Sequence, residues 1–420
     1  MRIDPRWFVI ASVALTLGGL PVAATEWKLL GYGAVRVQQA DGRPSYLAGD
    51  WGKFDLPAVA NDDSNEASGQ LAVALDVDWT PSFRTFVHVG GRVDPVTTVD
   101  STGRELGDPV GLLEAFVEYR RALSDHSELQ TRGGFFFLNT SFENIDPLWT
   151  SPYTLSLSAL NSWIGEEVRP VGLDIAWLRR NDSGGHVRFA VTAFGANDTM
   201  GTLVAWRGFA FHDRLTPWGG EVPLHRSVFP AFPKQERSTE PFRADLDGEP
   251  GFSARGEFQG GNFAVRGSYL DTRGDRDLHP SNFGQYAWRT RFGWLGGEAH
   301  LGPLTLVGEW GQGSTTMGFP GRGVTWVDAD FEVGYLLASI APGPFRFSAR
   351  YDTFEVVERD GNVLDRNDED GTATTVAAFW KFGGRFRLGL EAIQVDAQRP
   401  RLAVPAIEGD QLKAEVRVRF

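Results

Sequence analysis

The feature that most constrains this chain is a two-residue alternation of apolar and polar side chains, which recurs along most of its length. Successive side chains of a β-strand point to opposite faces, so this period predicts strands. Segment 69–80 alternates in this way, with Leu71, Val73, Leu75, Val77 and Trp79 against Gln70, Ala72, Ala74, Asp76 and Asp78. Segments 113–120 and 327–337 repeat the pattern. The chain is therefore expected to be all-β.

The length of the alternating segments favours a membrane barrel over a soluble sandwich. They run for about 10 to 12 residues, close to the 9 to 11 of a tilted transmembrane strand and longer than the average soluble strand of 5 to 6. In such a barrel the apolar face meets lipid and the charged face lines the lumen. No stretch after Ala24 approaches 18 uncharged apolar residues, as a spanning helix requires. We predict a transmembrane antiparallel β-barrel in the outer membrane, in contact with its lipid.

The connections between segments alternate between short and long, as they do in barrels with short periplasmic turns and long extracellular loops. Short turns are predicted at 81–82, 124–127, 181–185, 260–261, 302–303, 341–344 and 383–384. Long loops are predicted at 39–68, 94–110, 139–170, 272–285, 313–326, 357–372 and 398–410. Both chain ends then lie on the periplasmic side.

The number of strands must be even if both ends lie on one side. Sixteen segments qualify as strands, and a further candidate, Thr202–Phe211, breaks the parity. We therefore place 196–250 outside the barrel as one long loop that contains this extended segment. An eighteen-stranded barrel, with a weakly patterned strand between Glu221 and Ala244, is the alternative.

The beginning of the chain has the pattern of a secretory signal. Arg2 and Arg6 precede an apolar run at 7–20, and small residues precede Thr25. This order predicts a signal peptide at 1–24 and one barrel domain at 25–420; an uncleaved anchor is the alternative.

The end of the chain alternates up to its last residue. Leu412, Ala414, Val416, Val418 and Phe420 share one face of this segment, and charged residues share the other. This resembles the C-terminal assembly signal of outer-membrane barrels. The resemblance implies that Phe420 is recognised by the barrel assembly machinery.

Composition excludes several classes of protein. The chain has 41 basic and 54 acidic residues and a net charge of −13, which disfavours nucleic acid as a partner. It has no cysteine, so neither a disulfide nor a thiolate metal site is available. Its seven histidines, including His212 with its neighbour Asp213, have no catalytic or metal-binding spacing. No enzymatic activity, cofactor or metal is predicted.

The pattern as a whole resembles the Gram-negative outer-membrane porins. More locally, segments 133–138, 141–143 and 167–172 resemble the region around the third loop of the phosphate-selective porin group. The resemblance implies a water-filled channel, a loop folded into the pore and a homotrimer. Members of that group use a run of lumenal arginines and a cluster of lysines, whereas the chain after Ala24 has five lysines far apart.

Charges at the narrowest point of a pore act as a selectivity ring. Candidates are the inward arginines of the early strands and the acids of loop 139–170, namely Arg36, Arg84, Arg92, Arg132, Glu143, Asp146, Glu166 and Glu167. If they face each other, a weak anion preference is expected. In the alternative the arginines pair with neighbouring strand carboxylates, as Arg84 would with Asp78.

A second group of acids falls on three successive strands and is a candidate acidic wall, comprising Glu309, Asp328, Asp330, Glu332 and Asp352. It would form the opposite side of the pore or hold a divalent cation, although no loop has the ligand spacing of a calcium motif. Trp149 and Trp163 lie in the candidate constriction loop and would suit a sugar-selective channel. An outer-membrane enzyme, or a structural barrel without transport, would also be compatible with the strand pattern.

Overall fold

The computed structural model is a closed barrel of sixteen antiparallel strands. It describes residues 26–56, 64–94, 98–106, 110–278, 284–319, 324–360, 367–400 and 402–420. The predicted signal peptide at 1–24 lies outside the described residues. The barrel strands are β1 (Glu26–Ala40), β2 (Ser64–Thr80), β3 (Phe83–Val93), β4 (Val110–Ser124), β5 (Ser127–Phe135), β6 (Val171–Arg180), β7 (His186–Gly195), β8 (Gly251–Gly260), β9 (Phe263–Asp271), β10 (Arg289–Leu301), β11 (Leu304–Phe319), β12 (Val324–Ile340), β13 (Phe345–Glu358), β14 (Glu369–Phe382), β15 (Phe386–Gln398) and β16 (Ala406–Arg419).

The predicted count of sixteen strands is confirmed, and the eighteen-stranded alternative is wrong. Each strand pairs with its neighbours in sequence, and β16 pairs with β1 to close the ring. Segment 196–250 adds no strand to the barrel. Its predicted extended stretch, Thr202–Phe211, instead contains a π-helical turn at Leu203–Arg207. Two-residue strands at Val222–Pro223 and Ser238–Thr239 pair with each other apart from the barrel.

The outer surface carries the apolar belt that a bilayer requires. Large apolar side chains that point outward are exposed on strands all around the barrel, for example Leu71, Phe189, Leu295, Leu336 and Leu412. Aromatic rings gather beside the turn at 383–384, where Phe382 packs on Trp380 at 4.7 Å and on Phe386 at 5.5 Å. Such rings prefer the headgroup level of a membrane. In the part of the chain that the structure describes, no helix is long and apolar enough to cross a bilayer.

The seven predicted short turns are confirmed, but one predicted long loop is wrong. Segment 313–326 is mostly strand, since β11 continues to Phe319 and β12 begins at Val324. The segment is rich in glycine, serine and threonine, a composition that favours a loop. The ladder nevertheless continues there, with Gly313 opposite Phe331 and Thr315 opposite Ala329. Strand pairing with a neighbour therefore overrides the weak strand propensity of this segment.

The two longest loops fold into the barrel. Loop A (residues 136–170) contains the helix α1 (Ala159–Glu167), and loop B is residues 196–250. Large side chains of both loops are almost fully buried, including Trp163, Trp206 and Phe232. Trp163 packs on Phe292 of β10 and on Phe331 of β12, with ring centroids 5.0 and 5.1 Å apart. The expectation that 196–250 lies outside the barrel is therefore wrong, because its apolar side chains form a core in the lumen.

This core reverses the predicted orientation of β12. Val327, Ala329 and Phe331 point into the barrel and are buried, whereas Asp328 and Glu332 point outward. The prediction assumed a water-filled lumen along the whole strand. In this part of the barrel the inner face of the strand meets the packed loops, so its apolar residues face inward.

We expect that Phe331→Ala lowers the free energy of unfolding by about 3 to 5 kcal/mol, because it leaves a cavity beside Trp163. Asp328→Ala on the same strand is the matched control and should change it by no more than about 0.5 kcal/mol. Urea titration of the folded barrel measures both. Equal effects of the two substitutions would contradict the orientation of β12.

A second prediction concerns closure of the ring. Gly31 and Phe420 exchange two backbone hydrogen bonds, of 2.9 and 3.0 Å. A Cβ at Gly31 would lie 2.6 Å from Cζ of the Phe420 ring, whereas one at Gly33 would lie 4.0 Å from Val418. We expect Gly31→Ala to cost about 1 to 3 kcal/mol and Gly33→Ala to be tolerated. Urea titration, together with the fraction of folded barrel on an unheated gel, would show the difference, and equal behaviour would count against this account of closure.

Candidate functional site

The two loops make both apolar and charged contacts with the inner wall of the barrel. Loop B meets β13 through the rings of Phe209 and Phe211, which both pack on Phe354. The inner faces of β1, β3, β15 and β16, which we call the charged side, carry arginines and acids that contact both loops. This charged side is the candidate functional site.

Its centre is a cluster of three arginines around one carboxylate. Glu415 of β16 accepts hydrogen bonds from Arg36 of β1 at 2.8 Å, from Arg387 of β15 at 3.0 Å and from Arg417 at 3.0 Å. Arg36 also forms a bidentate pair with Asp213 of loop B, at 2.7 and 2.6 Å. All four wall residues point inward. Arg36 lies opposite Glu415 and Arg387 lies opposite Arg417 in the paired strands, and Glu415 and Arg417 are two residues apart on β16. We name Arg36, Asp213, Arg387, Glu415 and Arg417 the Glu415 cluster.

Arg92 extends this network toward loop B and toward the loop between β1 and β2, which contains Asp55. Its guanidinium lies 2.6 Å from Asp55, 2.8 Å from Asp94 and 3.4 Å from Asp213. Lys413 of β16 lies 3.7 Å from Asp55. The arginines lower the pKa of Asp213 well below its ordinary value, although burial alone would raise it. Asp213 is therefore a charged contact between loop B and the wall.

The other two predicted arginines lie elsewhere on the inner wall. Arg84 bonds Asp76 at 2.5 and 2.9 Å, so it pairs with a carboxylate of the neighbouring strand, as in the alternative, though with Asp76 rather than Asp78. Arg132 lies 3.7 Å from Asp174, donates to the carbonyl of Phe137 at 3.3 Å and stacks on Phe136. Among the described residues, neither arginine pairs with a carboxylate of loop A.

The loop A carboxylates face other partners than those predicted. Glu143 pairs with Arg350 of β13 at 2.6 Å and also accepts from Ser158 and Asn161. Asp146 pairs with Arg419 of β16 at 2.5 Å. The expectation that these acids face the early arginines is therefore wrong. The reason is that loop A crosses the lumen, so that its acids reach strands that are distant in sequence.

Glu166 joins the two loops to each other. It lies 3.3 Å from Arg207 and 3.1 Å from His212, and it accepts a hydrogen bond from Thr216 at 2.7 Å. Burial raises the pKa of Glu166, but His212 and Arg207 outweigh burial and bring the pKa to about 2. The side chain of Glu167, the other predicted acid of α1, lies outside what the structure describes.

The residues of the predicted acidic wall are divided between the inner and the outer face of the barrel. Glu309 and Asp352 point inward and are buried, where they accept backbone N–H groups of loop A, from Phe142 at 2.5 Å and from Ala159 at 3.0 Å. The acids of β12 point outward instead, with Asp330 paired with Arg359 and Glu332 bonded to the indole of Trp310. The five residues therefore form neither one wall nor one cation site.

A different group of carboxylates comes together in loop B. Oxygens of Asp198, Asp245 and Asp247 lie within 4.8 Å of one another. Asp198 accepts the N–H of Leu246 at 2.5 Å, and burial raises the pKa of Asp198 to about 7. Strand alternation gives no indication of this group, because Asp198 lies far from Asp245 and Asp247 in sequence and meets them only in the folded loop.

The Glu415 cluster borders a small internal cavity of about 20 Å³. Its walls come from both loops and from β1, β2, β15 and β16, and include Tyr32, Asp213, Arg387 and Arg417. A much larger depression of about 670 Å³ is lined by residues of β1, β2 and β13–β16, among them the exposed apolar side chains of Val37, Val376, Leu390 and Leu412. That depression belongs to the membrane-facing surface, so we place the functional site at the smaller cavity.

The loop tryptophans have different environments. Trp163 is 1% exposed and belongs to the core of the lumen, so it cannot stack on a solute. Trp149 borders the small cavity, but its ring is already stacked on Phe137 at 4.3 Å. These contacts account for both residues by packing.

We expect the contact between the loops to depend on pH. Since the pKa of Glu166 is lowered to about 2, its charge stabilises the fold above about pH 4.5 and this contribution is lost as pH falls toward 2. Glu166→Gln should remove up to about 3 kcal/mol of this acid dependence. Glu105→Gln, at an exposed loop residue, is the control. Urea titrations between pH 2 and 6 that coincide for the wild type and Glu166→Gln would contradict this role.

No protein-family profile matches the chain, and neither does any curated protein. Several solved barrels are similar in structure. OmpT, an outer membrane protein of Vibrio cholerae, is 10% identical over 96% of this chain and 99% of its own, with a TM-score of 0.51. The outer membrane channel DcaP of Acinetobacter baumannii is 10% identical over 94% and 97%, with a TM-score of 0.52. OprB of Pseudomonas putida is 9% identical over 99% and 97%, with a TM-score of 0.52. At these identities the likeness shows a shared fold, a closed β-barrel like those of these outer-membrane proteins.

Proposed function

We propose that the chain is an outer-membrane channel for the passive passage of small hydrophilic solutes and ions. The observation that carries this proposal is the charged side of the interior, where buried arginines and acids border a cavity between the wall and the two loops. The structural neighbour DcaP is an outer membrane channel, which supports the same function.

The narrow part of this channel is formed by both loops. Loop B supplies Asp213, which lies between Arg36 and Arg92, and loop A supplies Ser151 and Thr154. A cavity of about 20 Å³ suits ions rather than sugars, and the packed environments of Trp149 and Trp163 do not favour the sugar-selective alternative. A weak preference for anions follows from the excess of arginine over acid in the Glu415 cluster.

The proposal does not include catalysis. His212, which stands beside Asp213 in the sequence, lies 3.1 Å from Glu166 and packs on the ring of Tyr46. These contacts give it a role in holding the loops together. We also propose export by a signal peptide at 1–24, assembly through the strand that ends at Phe420, and a homotrimer. Cross-linking of the purified protein in detergent would test the trimer.

The test of the channel uses Arg350, which anchors loop A to the wall. Its guanidinium bonds Glu143, Asp352 and the carbonyls of Ser156 and Leu157. Arg350→Ala leaves buried carboxylates unpaired, at a cost of about 3 to 5 kcal/mol. We expect loop A to loosen, so that the single-channel conductance in planar bilayers rises relative to the wild type.

The matched control is Arg346→Ala on the same strand. Arg346 is half-buried, bonds Ser339 at 2.9 Å and stacks on Tyr153 of loop A, but among the described residues it pairs with no buried carboxylate. Its loss should therefore raise the conductance much less than the loss of Arg350 does. Heat-modified migration on gels would establish that each variant is folded. If folded wild type and folded Arg350→Ala both fail to conduct, the proposed channel is wrong.

A further inference from the structure

We infer that the small cavity beside the Glu415 cluster is a binding site for a small monovalent anion of the size of chloride. This inference names the solute class of the proposed channel, and it rests on that function for conduction. The binding site itself follows from the geometry and charge of the cavity alone.

The cavity lies where both loops meet the barrel wall. Tyr32 of β1, Arg387 of β15 and Arg417 of β16 line it from the wall side, and Ser151 and Thr154 line it from loop A. The two guanidiniums are held by stacking, with Arg387 at 4.3 Å over the ring of Phe379 and Arg417 at 4.2 Å over that of Tyr32. Arginine donors fixed in this way are prepared for a ligand without further ordering.

Charge is the first reason to expect an anion. Three arginines share Glu415, and only Arg36 has a second carboxylate in the cluster, namely Asp213. The carboxylate of Asp213 pairs with both Arg36 and Arg92. The cluster therefore has one more positive than negative group in a place where 2% to 4% of Arg417 and Arg387 is exposed. An excess buried charge of this kind is costly unless a counter-ion is bound.

Unused hydrogen-bond donors are the second reason. Within the described residues, Nε of Arg387 and Nη1 of Arg417 are buried and have no hydrogen-bond partner. Buried donors are nearly always satisfied in native proteins, by protein, by water or by a ligand. Arginine and hydroxyl groups both donate to anions, and the residues Ser151 and Thr154 line the same cavity.

The size of the cavity limits the ligand. A volume of about 20 Å³ exceeds the roughly 10 to 15 Å³ that one water molecule requires. A halide fits this space, whereas a phosphate or a dicarboxylate would require one of the loops to move. A water molecule would fit as well, but it would leave the excess charge uncompensated.

The first experiment uses the wild-type protein. Crystals grown or soaked in sodium bromide should show an anomalous scattering peak beside Arg387 and Arg417. Water density without bromide at this position would overturn the inference, and so would bromide found only at the outer surface.

The second experiment measures permeability in asymmetric potassium chloride. We expect the double variant Arg387→Gln, Arg417→Gln to lose the bromide peak and to lower the chloride-to-potassium permeability ratio by about threefold or more. Asp213→Asn, which removes a competing negative charge, should raise the ratio. Arg346→Gln, which changes a half-buried arginine that does not line the cavity, is the control and should leave the ratio unchanged.

The two arms separate this inference from the proposed function. A bromide peak in a barrel that does not conduct would support the anion site and reject the channel. Conduction without a bromide peak, and with the same permeability ratio in all variants, would support the channel and reject the site. If the double variant does not fold, Asp213→Asn and the wild-type crystals still decide the question.

Discussion

The rest of the structure depends on the need to pair every backbone N–H and C=O group that lies within the bilayer. A sheet satisfies this need only when it has no edge, so the chain must close into a ring. Closure occurs between β1 and β16, where the backbone of Gly31 bonds that of Phe420. The absence of a side chain at Gly31 leaves room for the terminal ring. The outward apolar belt has a related cause, because the outer face of the closed barrel is in contact with lipid.

A ring of sixteen strands encloses more space than its own side chains fill, and this chain fills much of it with loops A and B. The loops are held in two ways. Aromatic rings such as Trp163 pack against the wall, and ion pairs such as Glu143 with Arg350 and Asp213 with Arg36 attach the loops to it. The apolar contacts give packing energy, while the ion pairs fix where each loop lies. The charged side is therefore both the attachment of the loops and the candidate passage.

The sequence predicted the fold well because strand alternation is a local property. Each strand can be recognised from its own residues. In β2, for example, Ala72 and Ala74 point inward, and Leu71 and Leu75 are exposed on the outer face. Parity and turn spacing then gave the strand number and the seven short turns. Alternation also indicates that Arg350, Arg387 and Arg417 face the lumen. It could not indicate which acid each would meet, since their partners lie far away in sequence.

The sequence by itself determined that this chain forms a closed barrel, because period, segment length and parity are set by the geometry of a strand in a bilayer. The tertiary structure alone decided what fills that barrel. No alternation in loop B reveals whether the loop lies inside or outside the barrel. In β12 the apolar face points inward rather than toward lipid, because loop A packs against it. Asp213, which the sequence placed only beside a histidine, becomes a central contact because loop B brings it to Arg36. Contacts between loops and wall depend on the path of the whole chain, and no local pattern specifies that path.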